Sequence, residues 1–285
     1  DQTPVHDHVG ELELDTAGRR RADLLIGASY AGSKYSGAVY VFLGGNDFGS
    51  PALTIEGEKP GDNFGQFVIM PGDISADGTG DFVVSASYAD AGGVKNAGAT
   101  YLFKGGAVIS KTPWVTLEGK SADENFGYSL ATAGDINKDG VMDFVIGSIG
   151  GGPRREGTAF VYLGGQVVRP QAYMEIYGDN PKDMTGRAVS AAGDINKDGY
   201  SDIMVGSPYS DDGFYRNGRV DIYLGGPEAD ILSDYHVLGE RPDAQCGYWT
   251  SYIPKFHGKR GGIYLINCAG KESGFNDYSG VIVYK

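Results

Sequence analysis

A set of phrases recurs in register along this chain, and it constrains the fold more than any other feature. Residues 64–87 read FGQFVIMPGDISADGTGDFVVSAS, residues 126–149 read FGYSLATAGDINKDGVMDFVIGSI, and residues 186–209 read GRAVSAAGDINKDGYSDIMVGSPY. The acidic loops inside them begin at Asp73, Asp135 and Asp194, at spacings of 62 and 59 residues. A second phrase reads GAVYVFLGG at 37–45, GATYLFKGG at 98–106, GTAFVYLGG at 157–165 and GRVDIYLGG at 218–226. A third reads LTIEGEKPGDN at 53–63 and VTLEGKSADEN at 115–125 and, more loosely, MEIYGDNPKDM at 174–184 and HVLGERPDAQ at 236–245.

Each unit offers four short strand-like runs; for the third these are 126–133, 143–148, 158–163 and 114–118 or its successor. Glycine supplies 47 of 285 residues, with 19 Tyr and 12 Phe, and no long Leu/Ala/Glu/Lys stretch reads as a helix. The chain is therefore read as all-β, short strands joined by tight turns. A period near 60 with four strands per unit is the sequence signature of a β-propeller blade. One blade cannot bury both its faces, so neighbours must stack. Two weaker units flank the strong ones. Residues 9–28 keep the strand–loop–strand shape, and residues 246–268 align with Cys246 at the Phe126 position. Units of approximately 1–63, 64–125, 126–185, 186–245 and 246–285 account for the whole chain, read as one domain of five four-stranded blades. Unit five ends after its third strand, so Gln2 to Val5 are expected to pair with the 279–284 strand and close the ring.

Composition removes several function classes. An apolar fraction of 41% is too high for a disordered chain, and no stretch approaches the roughly 18 apolar residues of a membrane span. Twenty-four basic against 37 acidic residues give a formal charge of −13, the wrong sign for tracking nucleic-acid phosphates. The chain starts at Asp1 without an apolar leader, so any signal peptide is expected to be already removed. No G-x-S-x-G elbow, H-E-x-x-H or glycine-rich loop opening a helix occurs. His6, His8, His236 and His257 are the only histidines, and none meets a convergent set of carboxylates in the sequence.

The acidic loops carry the clearest chemistry. Asp135, Asn137, Asp139 and Asp143 place side-chain oxygens at positions 1, 3, 5 and 9, with Gly140 at position 6 and the Val141 carbonyl at 7. Hard cations such as calcium take six to eight oxygens, which alternate residues of a tight loop deliver. An EF-hand needs Glu at position 12, where Ile146 stands, and the flanks read as strands. The fourth unit repeats the pattern with Asp194, Asn196, Asp198, the Tyr200 carbonyl and Asp202. The second has Asp73, Ser75, Asp77, the Thr79 carbonyl and Asp81, with serine the weaker ligand. Unit one keeps only Asp15 and Asp23 around Ala17 and Arg19, while unit five has Lys255, His257 and Lys259 in place of the acids; both are read as empty. The alternative is a set of Asp/Gly turns holding no metal. About three structural calcium ions are expected.

FG, the D-x-N-x-D-G-x-x-D loop and the G-x-x-Y-x-F phrase together resemble the FG-GAP repeat of integrin α-subunit propellers and their bacterial and eukaryotic relatives. The resemblance covers essentially the whole chain and implies a propeller, calcium in the same loops, and recognition of a ligand on the side opposite them. It departs in number: integrin propellers have seven blades, and this chain supplies five.

Cys246 and Cys268 are the only cysteines. A hairpin pairing 254 with 262 makes them near neighbours across its strands, within bridging reach if the side chains face alike. A bridge would contribute roughly 3 kcal/mol in the chain-entropy model. The alternative is two free buried thiols.

The function read from the sequence is recognition rather than catalysis: a secreted or cell-surface, calcium-stabilised module binding a protein or glycan. It is not expected to be an enzyme, to bind nucleic acid or to insert into a membrane. The alternatives are a lectin with sugar pockets between blades, or a domain of a polysaccharide-acting enzyme. Loops joining second to third strands carry Tyr30, Tyr35, Tyr88, Arg154, Arg155, Tyr209, Tyr215, Arg216, Phe275 and Tyr278. Tyr and Arg are enriched at binding hot spots, and recognition concentrates on loops held by a rigid scaffold. Tyr30, Tyr88 and Tyr209 occupy one equivalent position, so packing between blades is the competing reading for those three.

Overall fold

Runs such as DFVVSA and DFVIGS are apolar or small at almost every position, a pattern that suits a strand covered on both faces. The computed structural model describes residues 23–44, 49–227, 229–254, 263–272 and 275–284. Within them these runs are the second strands of antiparallel sheets whose strands follow chain order. The first sheet holds β1 (Leu24–Ala28), β2 (Ala38–Phe42) and β3 (Leu53–Glu56). The second holds β4 (Val68–Gly72), β5 (Asp81–Ala86), β6 (Ala99–Phe103) and β7 (Val115–Glu118). The third holds β8 (Phe126–Gly134), β9 (Asp143–Ser148), β10 (Thr158–Tyr162) and β11 (Met174–Tyr177). The fourth holds β12 (Ala188–Gly193), β13 (Asp202–Ser207), β14 (Arg219–Tyr223) and β15 (Tyr235–Leu238). The fifth holds β16 (Thr250–Ile253), β17 (Ile263–Glu272) and β18 (Phe275–Tyr284). The segment ahead of each FG phrase thus serves the preceding sheet, as β7 does by pairing with β6.

By contacts the chain groups into two compact units, one running to Leu130 together with Gly164–Pro170, the other Ala131–Leu163 with Gln171 onward. In the first, Leu25, Val39 and Val41 of the first sheet pack with Val68, Phe82 and Val84 of the second. In the second, side chains alternate across β13 as a strand demands. Ile203 and Val205 join Val145, Val161 and Ile176 of the third sheet, while Met204 joins Tyr264 and Ile266 of the fifth. Each such buried side chain contributes about 1.5–3 kcal/mol. The recurring aromatic of the G-x-x-Y-x-F phrase faces the second residue of the second strand. Phe103 stacks on its register partner Phe82 at 4.9 Å, and Tyr162 on Phe144 at 5.4 Å.

One glycine explains why both repeated phrases carry this residue. Gly98 has φ 85°, and a Cβ there would sit 2.2 Å from the Phe126 carbonyl oxygen, so the G-x-x-Y strand can meet the FG turn only without a side chain. The same close approach appears as parallel bridges from Gly157 to Thr185 and Gly218 to Cys246.

In the fifth sheet Thr250 faces Ile266 and Ile253 faces Ile263, the register that a 254–262 pairing requires, and Cys246 and Cys268 are disulfide-bonded. One loop is corrected. Residues 271–278 were expected to form a connection, but β17 and β18 stay paired as far as Glu272 opposite Phe275. Phe275 and Tyr278 therefore belong to strand β18, because continued ladder pairing outweighs a loop over these residues. Gln2 to Val5, His6, His8, Asp15, Ala17, Arg19, Lys255, His257 and Lys259 lie outside the described residues. Among the described residues no helix is long and apolar enough to cross a membrane.

Candidate functional site

The acidic loops are the hairpins β4–β5, β8–β9 and β12–β13, and one hydrogen-bond scheme closes all three. Asp135 accepts the N–H of Asp139 on Oδ1 at 3.1 Å and that of Gly140 on Oδ2 at 2.9 Å. Asp73 does the same for Asp77 and Gly78 at 3.2 and 2.8 Å, and Asp194 for Asp198 and Gly199, both at 3.0 Å. The position-5 carboxylates in turn accept the N–H at position 7, Thr79, Val141 and Tyr200, at 2.9–3.0 Å. The chain turns because position 4 (Ala76, Lys138, Lys197) and the glycine at 6 both take positive φ.

Position 9 does different work. Asp81, Asp143 and Asp202 have no exposed surface, and each draws in the N–H of position 2, from Ile74, Ile136 and Ile195, at 2.6–3.0 Å. Asp81 and Asp202 use their other oxygen for Gly105 and Gly225, the glycine pair that ends the third strand. Asp23 bonds Gly44 in the same way, so the first unit keeps this tie. Burial, reinforced by Asp198 and Asp194 and opposed by these hydrogen bonds, pushes the Asp202 carboxyl up to about 6. Burial likewise raises Asp81, whereas hydrogen bonds from Thr79 lower Asp77.

The donor chemistry fits a hard divalent ion, since every side-chain ligand in these loops is an oxygen. The described residues hold no assembled group of three or more His, Cys, Asp or Glu side chains. Position 9 is turned to the backbone, and position 3 is Asn or Ser rather than an acid.

In an antiparallel meander the second-to-third connections emerge at the other sheet end from these hairpins. They join the linkers between sheets there: Lys95 accepts the N–H of Asp123, Arg155 that of Lys182, and Tyr215 that of Asp243. Three of the sequence-predicted residues come together. The Arg216 guanidinium lies 5.2 Å from the Tyr209 ring centre and 5.1 Å from that of Tyr215. Tyr215 is 59% exposed and its neighbour Phe214 49%. Tyr30 and Tyr35 stand exposed in the first unit. Arg154 is engaged by neighbouring loops, donating to the Asp179 carbonyl at 2.9 Å and pairing with Glu156 at 3.7 Å.

A profile described as FG-GAP repeat matches residues 126–163 and 185–223. The chain carries FG-GAP repeats. Both matched FG-GAP segments enclose a complete acidic loop; the 73–81 loop lies outside them. The sequence is 29% identical over 180 residues to integrin alpha-PS5 of Drosophila melanogaster, covering 61% of this chain and 18% of that protein. It is 28% identical over 233 residues to integrin alpha-5 of Xenopus laevis, covering 78% of this chain and 20% of that protein. It is 34% identical over 146 residues to integrin alpha-7 of Homo sapiens, covering 50% and 12%. The matched part thus spans a fifth or less of each of these relatives. Several four-stranded antiparallel sheets in an all-β chain are consistent with the propeller-like fold of such repeats.

Two groups escaped the sequence reading. Arg219 pairs with Asp221 at 2.7 Å, Asp179 at 3.1 Å and Asp212 at 3.5 Å; only the i, i+2 spacing of Arg219 and Asp221 on one strand could have signalled it. Glu124 and Asp183, buried in the linkers, accept backbone N–H groups from Lys120, Ser121 and Asn180.

Proposed function

We propose that this chain is a calcium-stabilised recognition module of the extracellular space, binding a protein or glycan through the loops at the sheet ends away from its acidic hairpins. The observation that carries the reading is the Arg216 guanidinium held against Tyr209 and Tyr215 beside exposed Phe214. Aromatic and guanidinium groups presented together on short loops are what binding hot spots are made of. The integrin relatives and the Cys246–Cys268 disulfide support an extracellular setting. The sequence repeat supports one domain of five blades.

Calcium would be held by Asp73, Ser75, Asp77, Asp81 and the Thr79 carbonyl, by Asp135, Asn137, Asp139, Asp143 and the Val141 carbonyl, and by Asp194, Asn196, Asp198, Asp202 and the Tyr200 carbonyl. Bound there, the ion neutralises clustered carboxylates and ties the hairpin. No catalytic role is assigned to any residue. Exposed Tyr30 and Tyr35 favour a glycan as the second reading, since they offer free aromatic surface.

A protein pull-down and a glycan array run in parallel on calcium-loaded protein identify the ligand class. Tyr215→Ala combined with Arg216→Ala is expected to weaken binding by about 1–2 kcal/mol with little change in melting temperature. Retained affinity in that variant, with loss on changing Lys255 and Lys259, would place the ligand at the hairpin end instead.

A further inference from the structure

The three acidic hairpins share a backbone scheme but differ at one oxygen. In the 135–143 and 194–202 loops, Oδ2 of the position-5 aspartate accepts the side-chain amide of the position-3 asparagine, Asn137 to Asp139 at 2.9 Å and Asn196 to Asp198 at 2.8 Å. In the 73–81 loop position 3 is Ser75, and Oδ2 of Asp77 is met by the Lys104 ammonium at 3.3 Å. Lys104 comes from outside the loop, from the phrase GATYLFKGG; the same place in the other copies holds Leu43, Leu163 and Leu224. The ammonium is also seated on an aromatic face, 4.7 Å from the centre of the Trp114 ring.

From this we infer that Lys104 is a built-in cation that competes with the divalent ion for the 73–81 loop and makes it the weak site of the three. The inference rests on the calcium reading above. An asparagine amide is neutral and presents its own oxygen to an ion after rotation. The Lys104 side chain brings a full positive charge, cancels part of the acid cluster and leaves only if it abandons Trp114 as well. Its side chain is 39% exposed, so water screens the repulsion without abolishing it. A unit charge about 6 Å from a dication in a water-like dielectric lowers occupancy about tenfold. The absence of an asparagine at position 3 acts in the same direction. Lys138 reaches across to the 194–202 loop too, contacting the Asp198 carbonyl at 3.5 Å and the Tyr200 ring at 5.0 Å; its charge acts on the Asp198 carboxylate through space, without the direct ion pair that Lys104 makes with Asp77.

The test is a calorimetric calcium titration of the full chain, stripped of metal with chelator, as wild type, Lys104→Leu, Lys104→Arg and Asp77→Asn. Circular dichroism on each confirms the fold; leucine is the residue the sister copies carry there. Wild type is expected to take up two ions tightly and a third about tenfold more weakly. Asp77→Asn should remove or further weaken only that third step, Lys104→Leu should tighten it about tenfold, and Lys104→Arg, which keeps the charge, should leave it in place. Three equal steps in wild type, or a weak step unmoved by Lys104→Leu, overturns the role of Lys104 while leaving calcium binding intact. No uptake by any variant overturns the calcium reading itself.

Discussion

Among the nine residues of each acidic loop, the carboxylates divide by what they touch. Asp143 is buried and holds the Ile136 N–H, whereas Asp139 is exposed and holds a turn. Asp143→Ala should therefore still cost about 1–3 kcal/mol after chelation, because it strands a buried donor whether or not the ion is bound. Asp139→Ala should lower the melting temperature in calcium, and most of that difference should disappear once the ion is chelated. An Asp143→Ala variant as stable as the Asp139→Ala variant in chelator, measured by thermal melts, would show this division to be wrong. Asp183 makes a second residue-scale prediction. Burial raises its carboxyl above the ordinary value of 3.8. A carboxyl raised on folding contributes stability that is present below the unfolded value and lost as pH rises through the folded one. Asp183→Asn keeps the acceptor for the Asn180 N–H without the charge, so it should be at least as stable as wild type at pH 7. Its advantage should shrink as pH falls toward 4, and a variant less stable at pH 7 would contradict this. The acid spacing was legible in sequence, but the tie from position 9 to the glycine pair of the third strand was not. It joins residues 21 to 24 apart, such as Asp81 to Gly105, and only the sheet brings them together.

At the scale of elements, strands were readable because nearly every second strand is a short apolar run between turn residues, and β5, β9 and β13 start at the loop aspartates. The fifth hairpin was misread for the opposite reason. Residues 269–280 are polar and glycine-rich, and nothing in that composition shows that pairing carries through Gly270 opposite Asp277. The repeated glycines were legible as a pattern but not as a cause, since the close approach of Gly98 to Phe126 needs two neighbouring sheets. Gly98→Ala forces a Cβ into a carbonyl at a positive φ, so it should destabilise the chain by more than about 1 kcal/mol. An unchanged denaturant midpoint would mean that the two phrases do not press on each other there.

For the whole molecule, the antiparallel sheets of the described residues and their acidic hairpins are the basis of the proposed account, in which ions held in the hairpins would secure the ends of the sheets and the opposite ends would carry varied recognition loops. The proposed recognition surface was the least legible part of the sequence, because a contact such as Arg216 with Tyr209 and Tyr215 has no periodic signal. The stabilising role of the ion is the claim on which the account depends. Each loop at free calcium about tenfold above its Kd adds about 1.4 kcal/mol by mass action, and two to three loops raise the melting temperature of a chain this size by roughly 5 °C. Thermal melting of the wild type in millimolar calcium and again after chelation measures this directly. The account predicts a higher midpoint with calcium, restored when calcium is returned; an identical midpoint in both buffers would contradict it.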